Sequence, residues 1–136
     1  MATHRPSAEA ADMQPLFLSA PAAVQLVRAL GVAPCLAGLA ALDDAGFRQL
    51  FAGTPVKRTG RDRFLRNVAY ALGNSRRREA ALPAIERLLA DASPLVRGAA
   101  VWALSRQAPE VFAARRGSAA DPDPAVQAEW SAPLAE

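Results

Sequence analysis

Asp91-Ala92-Ser93-Pro94-Leu95-Val96-Arg97-Gly98-Ala99-Ala100 returns thirty residues later as Asp121-Pro122-Asp123-Pro124-Ala125-Val126-Gln127-Ala128-Glu129-Trp130, with Asp, Pro and Val in register. Each copy carries a helix-opening signal. Ser93 or Asp123 stands at an N-cap, where a side-chain oxygen suits the free N–H groups, and Pro94 or Pro124 follows, its fixed φ and missing N–H harmless in a first turn. A second echo pairs Tyr70-Ala71-Leu72-Gly73-Asn74 with Trp102-Ala103-Leu104-Ser105-Arg106, 32 residues on. A period near 30 built of helices implies stacked helix pairs, because one pair does not bury its apolar face alone and needs its neighbours to cover it.

The flanking sequence fits that period. Apolar spacing predicts a helix over about 61–72 with Phe64, Leu65, Val68, Ala71 and Leu72 on one stripe, stopped at Gly73-Asn74. It predicts another from Leu82 to Ala90 with Leu82, Ile85, Leu88 and Leu89 inward and Pro83 in its first turn. Further helices are expected from Pro94 to Arg106, with Leu95, Val96, Ala99, Ala103 and Leu104 inward, over 109–116, and after Asp123-Pro124. Upstream, Asp43 or Asp44 caps a short helix carrying Phe47, Leu50 and Phe51 on one face; Gly53 ends it and Thr54-Pro55 turns the chain. Pro15, Pro21, Gly31 and Pro34 break the apolar residues before it into short helices near 21–30 and 35–42, while 1–14 are polar and aperiodic. No segment alternates as a strand does. The expected fold is all-α, a HEAT-like α-solenoid of short helix pairs over residues 39–136, preceded by a divergent, partly disordered leader over 1–38.

Composition narrows the chemistry. Hydrophobic residues make up 51% of the 136, much of it alanine, which favours close helix packing. The single cysteine, Cys35, rules out an internal disulfide, a four-cysteine zinc site and an iron–sulfur cluster ligated by this chain alone. The lone histidine, His4, sits in the polar amino terminus, remote as a base for Cys35, so no complete catalytic site is expected. No apolar run reaches the roughly 18 residues of a membrane span. A cytoplasmic protein with no membrane partner is the expectation.

The net charge of +3 conceals a block. From Lys57 to Arg78 there are eight cations (Lys57, Arg58, Arg61, Arg63, Arg66, Arg76, Arg77, Arg78) against Asp62, giving +7, and the rest of the chain sums to −4. The 100° helical step places Arg63, Arg66 and Tyr70 on the side of the 61–72 helix away from Phe64 and Val68, with Asn67 at the edge. Lys57, Arg58 and Arg61 approach that helix's N-terminus, where free N–H groups favour phosphate. Arginine forks suit phosphate oxygens, and Tyr70 suits stacking on an unpaired base. The RNA-binding candidates are therefore Lys57, Arg58, Arg61, Arg63, Arg66, Asn67 and Tyr70; a solvated helix face is the plainer alternative. Arg97, beside Asp91 at a repeat start, reads as a ladder residue between repeats. Arg76 to Arg78 are evenly balanced between binding and a charged loop, and Trp102 and Trp130 read as packing residues.

The run Phe47-Arg-Gln-Leu-Phe-Ala-Gly-Thr-Pro-Val-Lys-Arg-Thr-Gly-Arg-Asp-Arg-Phe-Leu-Arg-Asn67, with Ala71-Leu-Gly-Asn74 and Pro94-Leu-Val-Arg-Gly-Ala-Ala-Val-Trp-Ala-Leu104, resembles the carboxy-terminal HEAT-like region of bacterial epoxyqueuosine reductase. The resemblance covers about residues 39–136. It implies an oxidoreductase that reduces epoxyqueuosine to queuosine at the tRNA wobble position with cobalamin and two [4Fe-4S] clusters, its helical tail holding the anticodon stem-loop. The chain departs from that pattern in lacking the cluster cysteines and the cobalamin domain. The expectation is accordingly a tRNA-binding portion, inactive alone, partnered by the anticodon stem-loop and by catalytic domains if those are encoded separately. A free-standing scaffold that binds protein is the alternative.

Overall fold

The structure, a computed structural model, describes residues 36–134. Of the expected leader over 1–38, residues 1–35, with the helix near 21–30 and Cys35, lie outside the described residues.

Among the described residues every regular element is helical. In chain order these are α1 (Leu36–Ala40), α2 (Asp44–Leu50), a 3-10 turn (Pro55–Thr59), α3 (Arg61–Gly73), α4 (Arg78–Leu89), α5 (Pro94–Gln107), α6 (Pro109–Arg116) and α7 (Pro124–Ser131). Helices α3, α5 and α7 stack side by side as one layer, while α4 and α6 pack against α5 from the other side. This is the all-α, solenoid-like arrangement of helix pairs that the repeat implies. Asp43 caps α2 by accepting from the Gly46 N–H at 2.7 Å, and Asp123 caps α7 by accepting from the N–H groups of Ala125 and Val126. Ser93 occupies the N-cap position of α5 without a side-chain cap.

The core explains the order of packing. Phe47, Phe51 and Phe64 form a triangle with ring centroids 4.9, 5.5 and 5.0 Å apart, tying α2 to α3. Tyr70 meets Trp102 edge-on at 5.3 Å between α3 and α5, and Phe112 stacks on Trp130 at 5.5 Å between α6 and α7. Both tryptophans are thus packing residues. Gly73 serves the same junction. A Cβ there would lie 2.7 Å from Trp102 Cζ3 and 3.0 Å from Ala103 Cα, so glycine is needed for close approach of α3 and α5. The helix ends with Asn74 at φ −98°, not with a left-handed cap.

Two sequence expectations shift. Helix α4 begins at Arg78, not Leu82, so Pro83 lies inside the helix, where its missing N–H leaves the Glu79 carbonyl without its usual donor. The buried stripe of α4 is Ala81, Ala84, Ile85 and Leu88, with Leu82 and Leu89 only half-buried. Those positions fall at i, i+3, i+4 and i+7, and their small alanines let a neighbour approach. In α5, Leu95 is 38% exposed instead of inward, whereas Val96, Ala99, Ala103 and Leu104 are buried as expected.

Candidate nucleic-acid interface

The Gly53–Gly60 segment is built by its two glycines. Gly53 at φ 74° and Gly60 at φ 81° adopt left-handed backbone that other residues resist, and between them the chain winds into the 3-10 turn. Thr54 Oγ1 donates to the Phe51 carbonyl at 2.8 Å, Pro55 opens the turn, and Val56, buried, pins it to the core. That leaves Lys57 and Arg58 exposed, beside an open depression lined by Gly53, Thr54, Pro55, Lys57 and Arg58. Sequence alone marks Thr54-Pro55 as a turn and Lys57 and Arg58 as phosphate candidates approaching α3, without the 3-10 winding between them. Arg63, in the first turn of α3, is exposed as well.

The other candidates go elsewhere. Arg61 Nη1 and Nη2 donate to the Asp91 carboxylate at 2.9 and 2.6 Å, and Nε donates to the Leu42 carbonyl at 3.1 Å. With its side chain only 17% exposed, Arg61 bridges two repeats. Arg66, Asn67 and Tyr70 do not lie on an exposed face: they retain 4%, 1% and 3% of their surface. A wheel of α3 alone has one covered side, whereas α3 in the fold has α5 against one flank and α1 and α4 against others. Arg66 is engaged within the fold and Tyr70 packs on Trp102.

Arg97 is the ladder residue expected, with a different acid. Its Nε and Nη2 donate to the Asp121 carboxylate at 2.8 and 3.0 Å, and its Nη1 donates to the Asp91 and Ala92 carbonyls. Asp91 instead takes Arg61 and the Ser93 N–H. The signal for the Arg61 rung was present in the sequence, since Arg61 precedes Asp91 by one repeat length, as Asp91 precedes Asp121. Burial alone would raise the Asp91 carboxyl, but hydrogen bonds from Arg61 and the Ser93 N–H, with the charges of Arg61 and Arg97, outweigh it and hold Asp91 below the usual carboxylate range. The Arg97 hydrogen bonds hold Asp121 low in the same way, against some desolvation.

A second set of pairs joins α4 to α6: Arg78 with Glu110, and Arg115 with Glu86 at 2.6 Å. Of the Arg76–Arg78 triplet, Arg78 is therefore an inter-repeat bridge, while Arg76 and Arg77 are exposed and make no ion pair among the described residues. Gln107, which sequence reading did not single out, donates from Nε2 to the carbonyls of Leu72 and Ser75 at 2.7 Å each, capping the end of α3.

Among the described residues no group of three or more His, Cys, Asp or Glu side chains could hold a metal. A four-iron cluster takes four thiolates, and the chain has one cysteine, so these residues do not fit the clusters that the resemblance implies, and no redox step is assigned to them. No helix among the described residues is long and apolar enough to cross a membrane.

The HEAT repeat family model matches residues 81–106, most of α4 and of α5. Two curated relatives are both named epoxyqueuosine reductase. That of Xanthomonas campestris is 43% identical over 68 residues, covering 50% of this chain and 19% of the relative. That of Alicycliphilus denitrificans is 45% identical over 78 residues, covering 52% and 22%. The chain thus spans about a fifth of the length of the curated relatives it matches. No solved structure matches it. Over half its length, then, this chain, helical in its described residues and matching a HEAT repeat, is similar in sequence to bacterial epoxyqueuosine reductases, as the resemblance of Phe47–Asn67, Ala71–Asn74 and Pro94–Leu104 leads one to expect.

Proposed function

We propose that residues 39–136 form the tRNA-gripping, carboxy-terminal HEAT-like unit of an epoxyqueuosine reductase, holding the anticodon stem-loop while cobalamin and iron–sulfur domains outside these residues reduce epoxyqueuosine to queuosine in the cytoplasm. The observation that carries this is the Lys57-Arg58 pair, exposed on a glycine-bounded turn and making no ion pair among the described residues, with Arg63 exposed in the first turn of α3. Arg61, Arg78, Arg97 and Arg115 are matched to acids across repeats, whereas the side chains of Lys57 and Arg58 face solvent. Cations so placed suit phosphate oxygens. The contact set therefore contracts to Lys57, Arg58 and Arg63, and the buried Arg66, Asn67 and Tyr70 support the helix beneath. This chain alone is expected to be inert as a reductase.

The test is a salt titration of a stem-loop RNA against wild type and a Lys57→Ala/Arg58→Ala/Arg63→Ala variant. Wild-type affinity should fall with salt by a log–log slope of about 0.7 to 0.9 per phosphate neutralised, and the variant should lose about two units or more of that slope with unchanged helical circular dichroism. Equal binding by both proteins would remove this turn from the account. Retention of a polypeptide and not RNA in a pull-down would favour the scaffold reading instead.

A further inference from the structure

The exposed arginines at the far end of α3 have no structural task of the usual kinds. Cations that follow a helix often cap its last carbonyls. Here those carbonyls are taken: Leu72 and Gly73 by Gln107 Nε2, Ala71 by the Asn74 N–H, and Tyr70 by Asn74 Nδ2 at 3.1 Å. Cations also serve in ion pairs between repeats, yet among the described residues only Arg78 of the triplet has an acid, Glu110. Arg87, by contrast, sits in the last turn of α4, where a cation complements the helix dipole. Arg77 stands at the N-cap of α4 with no side-chain cap hydrogen bond, and the dipole there disfavours a cation beside it. A local arrangement that is unfavourable in isolation and serves no packing purpose is what a binding residue leaves in a fold.

Resting on the function proposed above, we infer that Arg76 and Arg77 form a second phosphate-contacting patch, which grips the same RNA backbone at a distance from the Lys57-Arg58 turn. The two patches flank α3, whose 13 residues separate them. At 1.5 Å rise per residue that is about 20 Å, or roughly six steps along a duplex strand at 3.4 Å each. A short RNA end seated on the Lys57-Arg58 turn stops short of Arg76 and Arg77; a longer duplex reaches both.

The experiment measures binding of the full chain to two hairpins, one of about four and one of about twelve base pairs, for wild type, Arg76→Ala/Arg77→Ala and Lys57→Ala/Arg58→Ala. Both arginines are exposed, so circular dichroism should match wild type. On the long hairpin, Arg76→Ala/Arg77→Ala should flatten the log–log salt slope by about 1.5, the sum for two phosphates. On the short hairpin its effect should be much smaller, whereas Lys57→Ala/Arg58→Ala should weaken both. If wild type binds RNA and Arg76→Ala/Arg77→Ala matches it on both hairpins, the second patch is overturned and the first stands. If wild type binds neither hairpin, both readings fail together.

Discussion

Helices α3 and α5 occupy equivalent places in successive repeats, Tyr70 aligning with Trp102, yet they are filled differently. Under that alignment the buried Arg66 and Asn67 of α3 face Gly98 and Ala99 of α5, and the buried Phe64 answers to Val96. Helix α5 is buried nearly all round by small and aliphatic residues, as a helix with neighbours on several sides must be. Helix α3 closes the aromatic triangle from α2 and carries polar side chains inside. The lesson is that one repeat supplies regular packing while the other, next to the basic turn, departs from it with buried polar side chains.

The largest contrast should appear on truncation. Phe64→Ala removes one ring of a triangle buried to 2% exposure and should cost about 3 to 5 kcal/mol, whereas Val96→Ala removes two methyl groups and should cost less than half as much. Equal losses in urea unfolding would show that the two helices carry the core alike. Gly73→Ala should follow at about 1 to 3 kcal/mol, since its Cβ would meet the Trp102 ring and the Ala103 backbone. The aligned Ser105→Ala in α5 should change little, and a shortened residue at 102 should rescue Gly73→Ala.

Smaller effects concern the rungs between repeats. Asp91 and Asp121 both titrate lower when folded, so their contribution is fully present above the unfolded carboxylate range near 4 and is lost as pH falls through the depressed folded values. Asp91→Asn should remove about 1 to 2 kcal/mol at neutral pH, given side chains 17% and 9% exposed, and should flatten the acid limb of the stability profile. An unchanged acid limb would mean that other carboxylates govern it. Smallest of all, Lys57→Ala or Arg58→Ala should alter stability by less than about 0.5 kcal/mol, because both side chains lie in solvent.

Much of the fold was legible because proline, N-cap and apolar period agreed, as at Asp123-Pro124 and along Phe64, Val68 and Leu72. The inner register of α4 was not, since alanines at 81 and 84 carry too little hydrophobic contrast beside Leu82 and Leu89 to mark the covered side. The site was legible as a charge block and misread in its parts. A helical wheel sees one helix, and what buries Arg66, Asn67 and Tyr70 is tertiary packing; what occupies Arg61 is an acid 30 residues away. Exposure of Lys57 and Arg58 depends on two positive-φ glycines whose turn type the sequence only hinted at.

On the proposed function, the arginines of one +7 segment divide into those that hold repeats together and those offered to RNA. Arg61→Ala and Arg58→Ala, three residues apart, test that division most directly when melting temperature and the salt slope of stem-loop binding are measured on both. Arg61→Ala should lower the melting temperature by several degrees, as a loss of about 1 to 2 kcal/mol does in a domain this small, and leave the slope of the folded protein unchanged. Arg58→Ala should leave the melting temperature in place and flatten the slope by about 0.7 to 0.9. The reverse pattern, or a flattened slope in Arg61→Ala alone, would contradict it.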